Sequence, residues 1–192
     1  ILQNTLNFAG LKNRMDLETG KKISENIIKY LKLKFPSTEF IALGSLRRQS
    51  STVGDIDIAA RSNDSLPILK HFVSYPDNIQ ILDIGSKKAS IKIYPDIRVD
   101  IMVQPTKNFA SLVQHFTGSR QHNILLRKYA LSLGLSISEY GIKNLKTGKT
   151  YTFETEEKLY NFLKLDYIEP QLRTGEREIE TAQKCYNEKV KV

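Results

Sequence analysis

Residues 96–103 read DIRVDIMV, an alternation in which Ile97, Val99, Ile101 and Val103 face one way and Asp96, Arg98 and Asp100 the other. Such a segment settles as a β-strand with one face on a core and a charged face turned away from it. Residues 55–61, DIDIAAR, share the parity: Ile56 and Ile58 go inward, and Asp55 and Asp57 project together. A chain with two such strands needs an apolar layer beneath them. On the other face it needs something that relieves clustered negative charge.

The rest of the chain supplies the apolar layer. Residues 21–35 carry Ile23, Ile27, Ile28 and Leu31 at helical spacing, and Pro36 ends that helix. EFIALGS is a short buried strand running into a turn at Gly44 and Ser45. SNDSLPILKHFV is a short helix with Leu66, Leu69, Phe72 and Val73 on its inner side. IQILDIG, ASIKIYP and IRVDIMVQ follow as a meander. The sum is a mixed sheet of about five strands with helices on one face. After Pro105 the character changes. NFASLVQHF and SRQHNILLRKYALSLGL are two helices broken at Thr117 and Gly118, and the second stops at Gly134. SEYGIKNLKTGKTYTF is a hairpin, and TEEKLYNFLKL a helix with Thr155 at its N-cap. From Pro170 onward the charged, weakly periodic sequence predicts a surface tail.

A length of 192 residues bounds the fold to one compact domain, or a domain with a small lobe. A net charge of +8 favours an acidic partner such as nucleic acid or a nucleotide. The single cysteine, Cys185, cannot close an internal disulfide, so a reducing compartment is permitted. The first residues, ILQNTLNFAG, lack the basic start and apolar stretch of a signal peptide, and no apolar run approaches ~18 residues. The expectation is an intracellular monomer with no membrane segment. Ile1 in place of Met is expected of a fragment or processed form.

Asp55 and Asp57 on one strand face repel each other, and a cation between them is the natural remedy. With oxygen donors and no nearby Cys or His, the ion is a hard one: Mg²⁺, with Mn²⁺ as the alternative. If the strand carrying Asp100 lies beside them, three carboxylates converge on two ions, an arrangement suited to in-line phosphoryl transfer. The Gly44–Ser45 turn offers a hydroxyl and backbone N–H groups to phosphate, with Arg47 and Arg48 beside it. An Asp-x-Asp alone also arises by chance; its spacing from Gly44–Ser45 and the further strand Asp make the catalytic reading the stronger one. His71, His115 and His122 are not clustered as zinc ligands would be, and His71 is expected on a helix surface. Asn123, Arg127 and Lys128 also fit the solvated face of a helix whose Leu125, Leu126 and Tyr129 pack inward.

The Gly-Ser, Asp-x-Asp and distant Asp together resemble the signature of the nucleotidyltransferase superfamily. GSLRRQSSTVGDIDI, IRVDIMVQP and HFTGSRQHNILLRKYAL with GLSISEYGI are similar, in order, to DNA polymerase family X. YIEPQLRTGEREIE is similar to a segment of its bacterial and archaeal members. The resemblance implies an α/β (α+β) palm with a mixed, largely antiparallel sheet, plus a small α+β C-terminal lobe. Its expected boundaries are a remnant of an N-terminal helical lobe at 1–20, palm at 21–115, lobe at 116–170 and tail at 171–192.

The resemblance also implies roles. Asp55, Asp57 and Asp100 match the metal-binding triad, with Asp100 helping to deprotonate a primer 3′-hydroxyl, and Arg98 matches a restraint on that third Asp. Ser45 and Arg48 match triphosphate ligands beside Gly44, and Gly54 precedes the triad. Phe116, Thr117, Gly118 and Ser119 match the turn against which the incoming sugar packs. Asn123 matches a contact to the nucleotide, Arg127 one to the template, and Tyr140 a tyrosine of the same lobe. His115 stands where many relatives have Tyr, which bears on sugar discrimination, and Arg120 where an acidic residue is frequent. The partners implied are gapped or primed DNA and a deoxynucleoside triphosphate, with short-gap repair as the setting. With about twenty residues before the first helix and three His in all, neither a lyase lobe nor a His-rich phosphoesterase domain is expected within this chain. Two other readings stand beside this one: a template-independent nucleotidyltransferase acting on RNA, a small molecule or a protein, and a non-catalytic DNA-binding remnant.

Overall fold

The computed structural model describes residues 14–190. In chain order the elements are β1 (Met15–Asp16), α1 (Leu17–Lys34), β2 (Glu39–Ala42), α2 (Gly44–Arg47), β3 (Thr52–Val53), β4 (Ile56–Arg61), α3 (Leu66–Val73), β5 (Asn78–Ile84), β6 (Lys88–Ile93) and β7 (Ile97–Gln104). Then follow α4 (Thr106–Thr117), α5 (Arg120–Ser132), β8 (Leu135–Ser138), β9 (Gly141–Asn144), β10 (Thr150–Tyr151), α6 (Glu156–Phe162), a 3-10 turn (Pro170–Leu172) and α7 (Glu178–Val190).

Five strands form the main sheet in the order β2-β4-β7-β6-β5. All neighbours are antiparallel except β4 and β7, which run parallel with Asp57 directly opposite Asp100. Period-two alternation does what the sequence predicts. Ile56, Ile58, Val99 and Ile101 are buried in one core with Ile27 and Leu31 of α1 and Leu69 and Phe72 of α3. The opposite face divides along its length: Ala59 and Met102 lie under Phe109, Leu112 and Val113 of α4, and the aspartates occupy the uncovered end. Helices therefore cover both faces of the sheet. The expectation of one covered face holds for α1 and α3 and fails for α4, whose apolar stripe has a place to pack only because Ala59 and Met102 interrupt the charged parity.

A second core belongs to the C-terminal part. There Leu126 and Ala130 of α5, Ile137 and Ile142 of the three-stranded sheet β10-β9-β8, and Leu159 and Tyr160 of α6 pack together. Two members of this core, Ile179 and Ala182, come from α7. The expected surface tail is a helix that closes the lobe. Its sparse apolar spacing is hidden among charges, and its start is fixed by Glu178, whose carboxylate accepts from the N–H groups of Gly175 and Glu176 at 2.8 Å each.

The N-terminal expectation also changes. Residues 1–13 lie outside the described residues, but Met15 to Gly20 belong to the main body. Asp16 caps α1 by accepting from the Thr19 N–H at 2.9 Å, so the helix starts four residues before the predicted Lys21. A Cβ on Gly20 would stand 3.0 Å from Leu46 and 3.2 Å from Val53, so glycine lets α1 lie close against α2 and β3. His71 is half-buried, stacked on Tyr30 at 4.2 Å between ring centroids, rather than on an open helix surface. Among the described residues no helix is long and apolar enough to cross a membrane.

His122 ties α5 to α6 and α7. It is fully buried, with Nδ1 2.9 Å from Glu178 Oε1 and Nε2 2.9 Å from the Tyr160 hydroxyl. Burial pushes its imidazole down to about 4, against the pull of the Glu178 carboxylate. The ring is therefore neutral near pH 7, donating from Nδ1–H to Glu178 and accepting at Nε2 from Tyr160. A folded-state value below the unfolded one means that this stabilisation is present above about pH 6.5 and is lost as pH falls toward 4. In urea unfolding the wild type is expected to lose on the order of 3 kcal/mol more than His122→Gln between pH 7 and pH 4. Equal losses would show that another group drives the acid sensitivity.

Candidate active site

The end of β2 and the uncovered end of β4 meet at Gly44. Its φ of +58° belongs to the left-handed region, and a Cβ there would lie 2.9 Å from Asp57 Oδ2. Glycine is thus required twice, for the backbone turn and for the close approach to the carboxylate. The turn continues as the short helix α2, so Ser45 sits in a helical first turn rather than in an open loop. The Leu43 N–H donates to the Asp57 carbonyl at 2.8 Å, which pins this turn to the aspartate strand.

A cleft of about 420 Å³ opens over this point. From the main body it is lined by Arg14, Gly44, Ser45, Arg48, Asp55 and Asp57; from the helices after Pro105 by His115, Phe116, Gly118, Arg120 and Asn123. Most of the sequence-predicted nucleotide and metal residues therefore face one space. Arg48 crosses it: Nη1 donates to the Thr117 carbonyl, and a Cβ on Gly118, where φ is +68°, would lie 3.2 Å from that nitrogen. The Gly118–Ser119 peptide is cis, and Ser119 caps α5 by accepting from the His122 N–H. Asn123 is fixed from both sides, donating to the His115 carbonyl at 2.7 Å and accepting from Gln114 at 2.8 Å.

Asp57 carries the main electrostatic signature. Burial, then the neighbouring charges of Asp55 and Asp100, push its carboxyl up to about 7. The neighbouring carboxylates thus add to the cost of a charged Asp57, and all of the acidic donors here are carboxylate oxygens, which fits a hard divalent cation. Asp100 behaves differently. Burial raises its carboxyl, but hydrogen bonds from Arg98, Ser90 and Lys88 outweigh this and hold it below the usual range. Arg98 grips both oxygens, Nε to Oδ1 at 3.0 Å and Nη2 to Oδ2 at 3.2 Å, and Lys88 Nζ lies 3.1 Å from Oδ2. As placed, no three acidic, histidine or cysteine side chains among the described residues stand closely enough together to hold one ion. Asp100 is beside Asp57 in register and on the same face, with its carboxylate engaged by cations.

Other predicted residues fall around the cleft rather than in its lining. Gly54 packs against Arg14, whose Nη1 would be 2.9 Å from a Cβ there. Thr117 is buried, donating to the Val113 carbonyl and accepting from Arg47 at 2.7 Å. Arg127 is exposed one turn beyond Asn123, with Nη2 3.2 Å from His115 Nδ1; Glu139 stands 4.0 Å from the same nitrogen. The Tyr140 side chain is exposed and does not reach the cleft.

Sequence reasoning missed Arg14, which is anchored by donating to the Thr52 carbonyl at 2.7 Å and lies far from every quoted motif. It also missed a buried charge network beneath the cleft. Arg47 Nη2 donates to Glu156 Oε2 at 2.5 Å, and Arg173, 1% exposed, stands with Nη1 2.9 Å from Glu156 Oε1. Glutamate in the first turn of α6 was legible; its partners from α2 and the 170s were not.

The sequence is similar to those of several known proteins. The DNA polymerase beta thumb family matches residues 112–174. The DNA polymerase/3′-5′ exonuclease PolX of Bacillus subtilis (strain 168) is 29% identical over 167 residues, 86% of this chain and 29% of that protein. DNA polymerase lambda of Rattus norvegicus is 26% identical over 190 residues, 82% of this chain and 32% of that protein. A DNA nucleotidylexotransferase of Monodelphis domestica is 30% identical over 134 residues, 65% of this chain and 26% of that protein. The chain thus spans about a third or less of the length of the relatives it matches.

Proposed function

We propose that this chain, which belongs to DNA polymerase family X, carries the nucleotidyl-transfer centre of a template-directed DNA polymerase that fills short gaps. The observation that carries the reading is the single cleft in which Gly44, Ser45, Arg48 and the aspartates of one core meet Phe116, Gly118 and Asn123 of the other segment. We assign the palm to the residues through His115, with Met15 to Gly20 included, and the nucleotide-contacting lobe to those from Phe116 through α7.

In this reading Arg48 and Ser45 receive the triphosphate of a deoxynucleoside triphosphate, joined by Arg14. Asp55 and Asp57, with Asp100 once released from its cations, hold divalent metal. Bound Mg²⁺ would lower the pKa of the primer 3′-hydroxyl and neutralise charge developing on the phosphates. Asp100 would help to take the proton of that hydroxyl, and Arg98 holds its carboxylate in the resting arrangement. Phe116 and the Gly118 backbone flank the sugar. His115, where a tyrosine is frequent in relatives, tunes discrimination against ribonucleotides. Arg127, one turn from Asn123, reaches the template.

Single-nucleotide incorporation on a one-base gap, with all four deoxy- and ribonucleotides compared in Mg²⁺, tests the reading. The expected result is insertion of the templated deoxynucleotide, lost in Asp100→Ala. Incorporation unchanged in that variant would remove Asp100 from the site, and addition indifferent to the template base would favour a terminal transferase, as the name of one relative suggests.

A further inference from the structure

Asp100 is held by side chains from two strands, of which the sequence points only to Arg98. Ser90 pairs with Asp100 across β6 and β7, and Lys88 lies two residues before Ser90 on the same face, so its stem runs back toward the carboxylate. The two cations hold Asp100 in different ways. Arg98 is a planar fork on both oxygens from the same strand. Lys88 is a single ammonium on Oδ2 alone, at 3.1 Å, with a side chain 38% exposed against 12% for Asp100. A compact, well-hydrated charge on a flexible stem can move into water at little cost; a largely buried carboxylate has no such exchange open to it. Both charges also act on Asp57, Lys88 the more strongly of the two.

We propose that Lys88 is a displaceable counter-ion: it occupies the Asp100 oxygen that a divalent cation requires and thereby sets the cation concentration at which the three-carboxylate site assembles. Lys88 is a positioning residue here, acting through Asp100 and not on substrate. The inference rests on the metal assignment of Asp55, Asp57 and Asp100. The arrangement keeps Asp100 compensated while no ion is bound, and a competing 2+ charge releases it.

The test is Mn²⁺ binding to the full 192-residue chain without DNA or nucleotide, followed by electron paramagnetic resonance of free Mn²⁺, in wild type, Lys88→Met and Lys88→Arg. Lys88→Met removes the charge, keeps the stem length and leaves Arg98 on Asp100. It is expected to bind Mn²⁺ about fivefold more tightly, the size of a partly exposed ion pair. Lys88→Arg is expected to stay near wild type. In gap filling, the half-saturating Mg²⁺ concentration of Lys88→Met should fall by a similar factor, a larger change than in the rate at saturation. Unchanged or weaker Mn²⁺ binding in a Lys88→Met protein that melts like wild type would overturn the inference while leaving the metal assignment intact. A wild type that binds no Mn²⁺, and is indistinguishable from Asp57→Asn in doing so, would overturn both.

Discussion

Asp57→Asn is expected to reduce gap-filling incorporation by about 10³-fold or more, the scale of losing several kcal/mol of metal-borne charge stabilisation. The same substitution is expected to make the metal-free protein more stable at pH 8. The sign follows from where the carboxyl titrates. Burial and two neighbouring carboxylates raise it to about 7 in the folded chain, from 3.8 when unrestrained. Between those values the folded state keeps a proton that the unfolded state has released, so stability falls as pH rises through the window and stays low above it. Asparagine carries no such penalty. With EDTA present at pH 8, Asp57→Asn should gain on the order of 2 kcal/mol, or about 5 °C in melting temperature, and the gain should vanish near pH 4. A variant that melts below wild type at pH 8 would show that Asp57 is a structural acid whose charge the fold already satisfies.

Glu156→Gln should produce the largest loss of stability. Among the described residues, Glu156 is the acid that both Arg47 and Arg173 pair with in this buried group. Arg173 also lies against the rings of Tyr160 and Tyr167, at 5.3 and 5.7 Å from their centroids, and donates from Nε to the Ile168 carbonyl. Glutamine keeps the shape and one acceptor but leaves two guanidinium charges facing each other, one of them with almost no access to water. Breaking a buried pair from one side costs about 3–5 kcal/mol, or about 10 °C in melting temperature for a chain of this size. Urea unfolding followed by far-UV circular dichroism measures it. A change within about 1 kcal/mol would mean that water or a neighbouring group replaces the lost charge. Arg47 directly precedes Arg48, so cleft geometry is expected to suffer with stability in this variant, unlike in His122→Gln, which touches the packing of α5 on α6 and α7.

What the sequence made legible was local. Alternation in residues 55–61 and 96–103 gave both strands and the face of each aspartate, because a strand's parity does not depend on its neighbours. The cap at Thr155 marked a helix start for the same reason. What stayed hidden depends on pairing. Nothing in residues 88–90 says that Ser90 will lie opposite Asp100, and only that register brings Lys88 to the carboxylate. Arg14 and Arg173 are likewise ordinary basic residues until the fold brings one to Gly54 and the other to Glu156. Helix α7 was missed because two buried apolar residues among many charges make too weak a pattern. The second covered sheet face was missed because Ala59 and Met102 gave no sign of which layer they would meet.

The parallel alignment of β4 with β7 sets the order in which the molecule can come together. The antiparallel neighbours β5, β6 and β7 join through short turns, but β4 and β7 can pair only after the chain has gone out through α3, β5 and β6 and returned. Closing that excursion costs entropy before any contact between the strands repays it, so such pairing belongs to the later part of folding. Asp57 and Asp100 therefore stay apart while the first apolar contacts form, and their mutual repulsion begins only once a surrounding hydrophobic framework exists to withstand it.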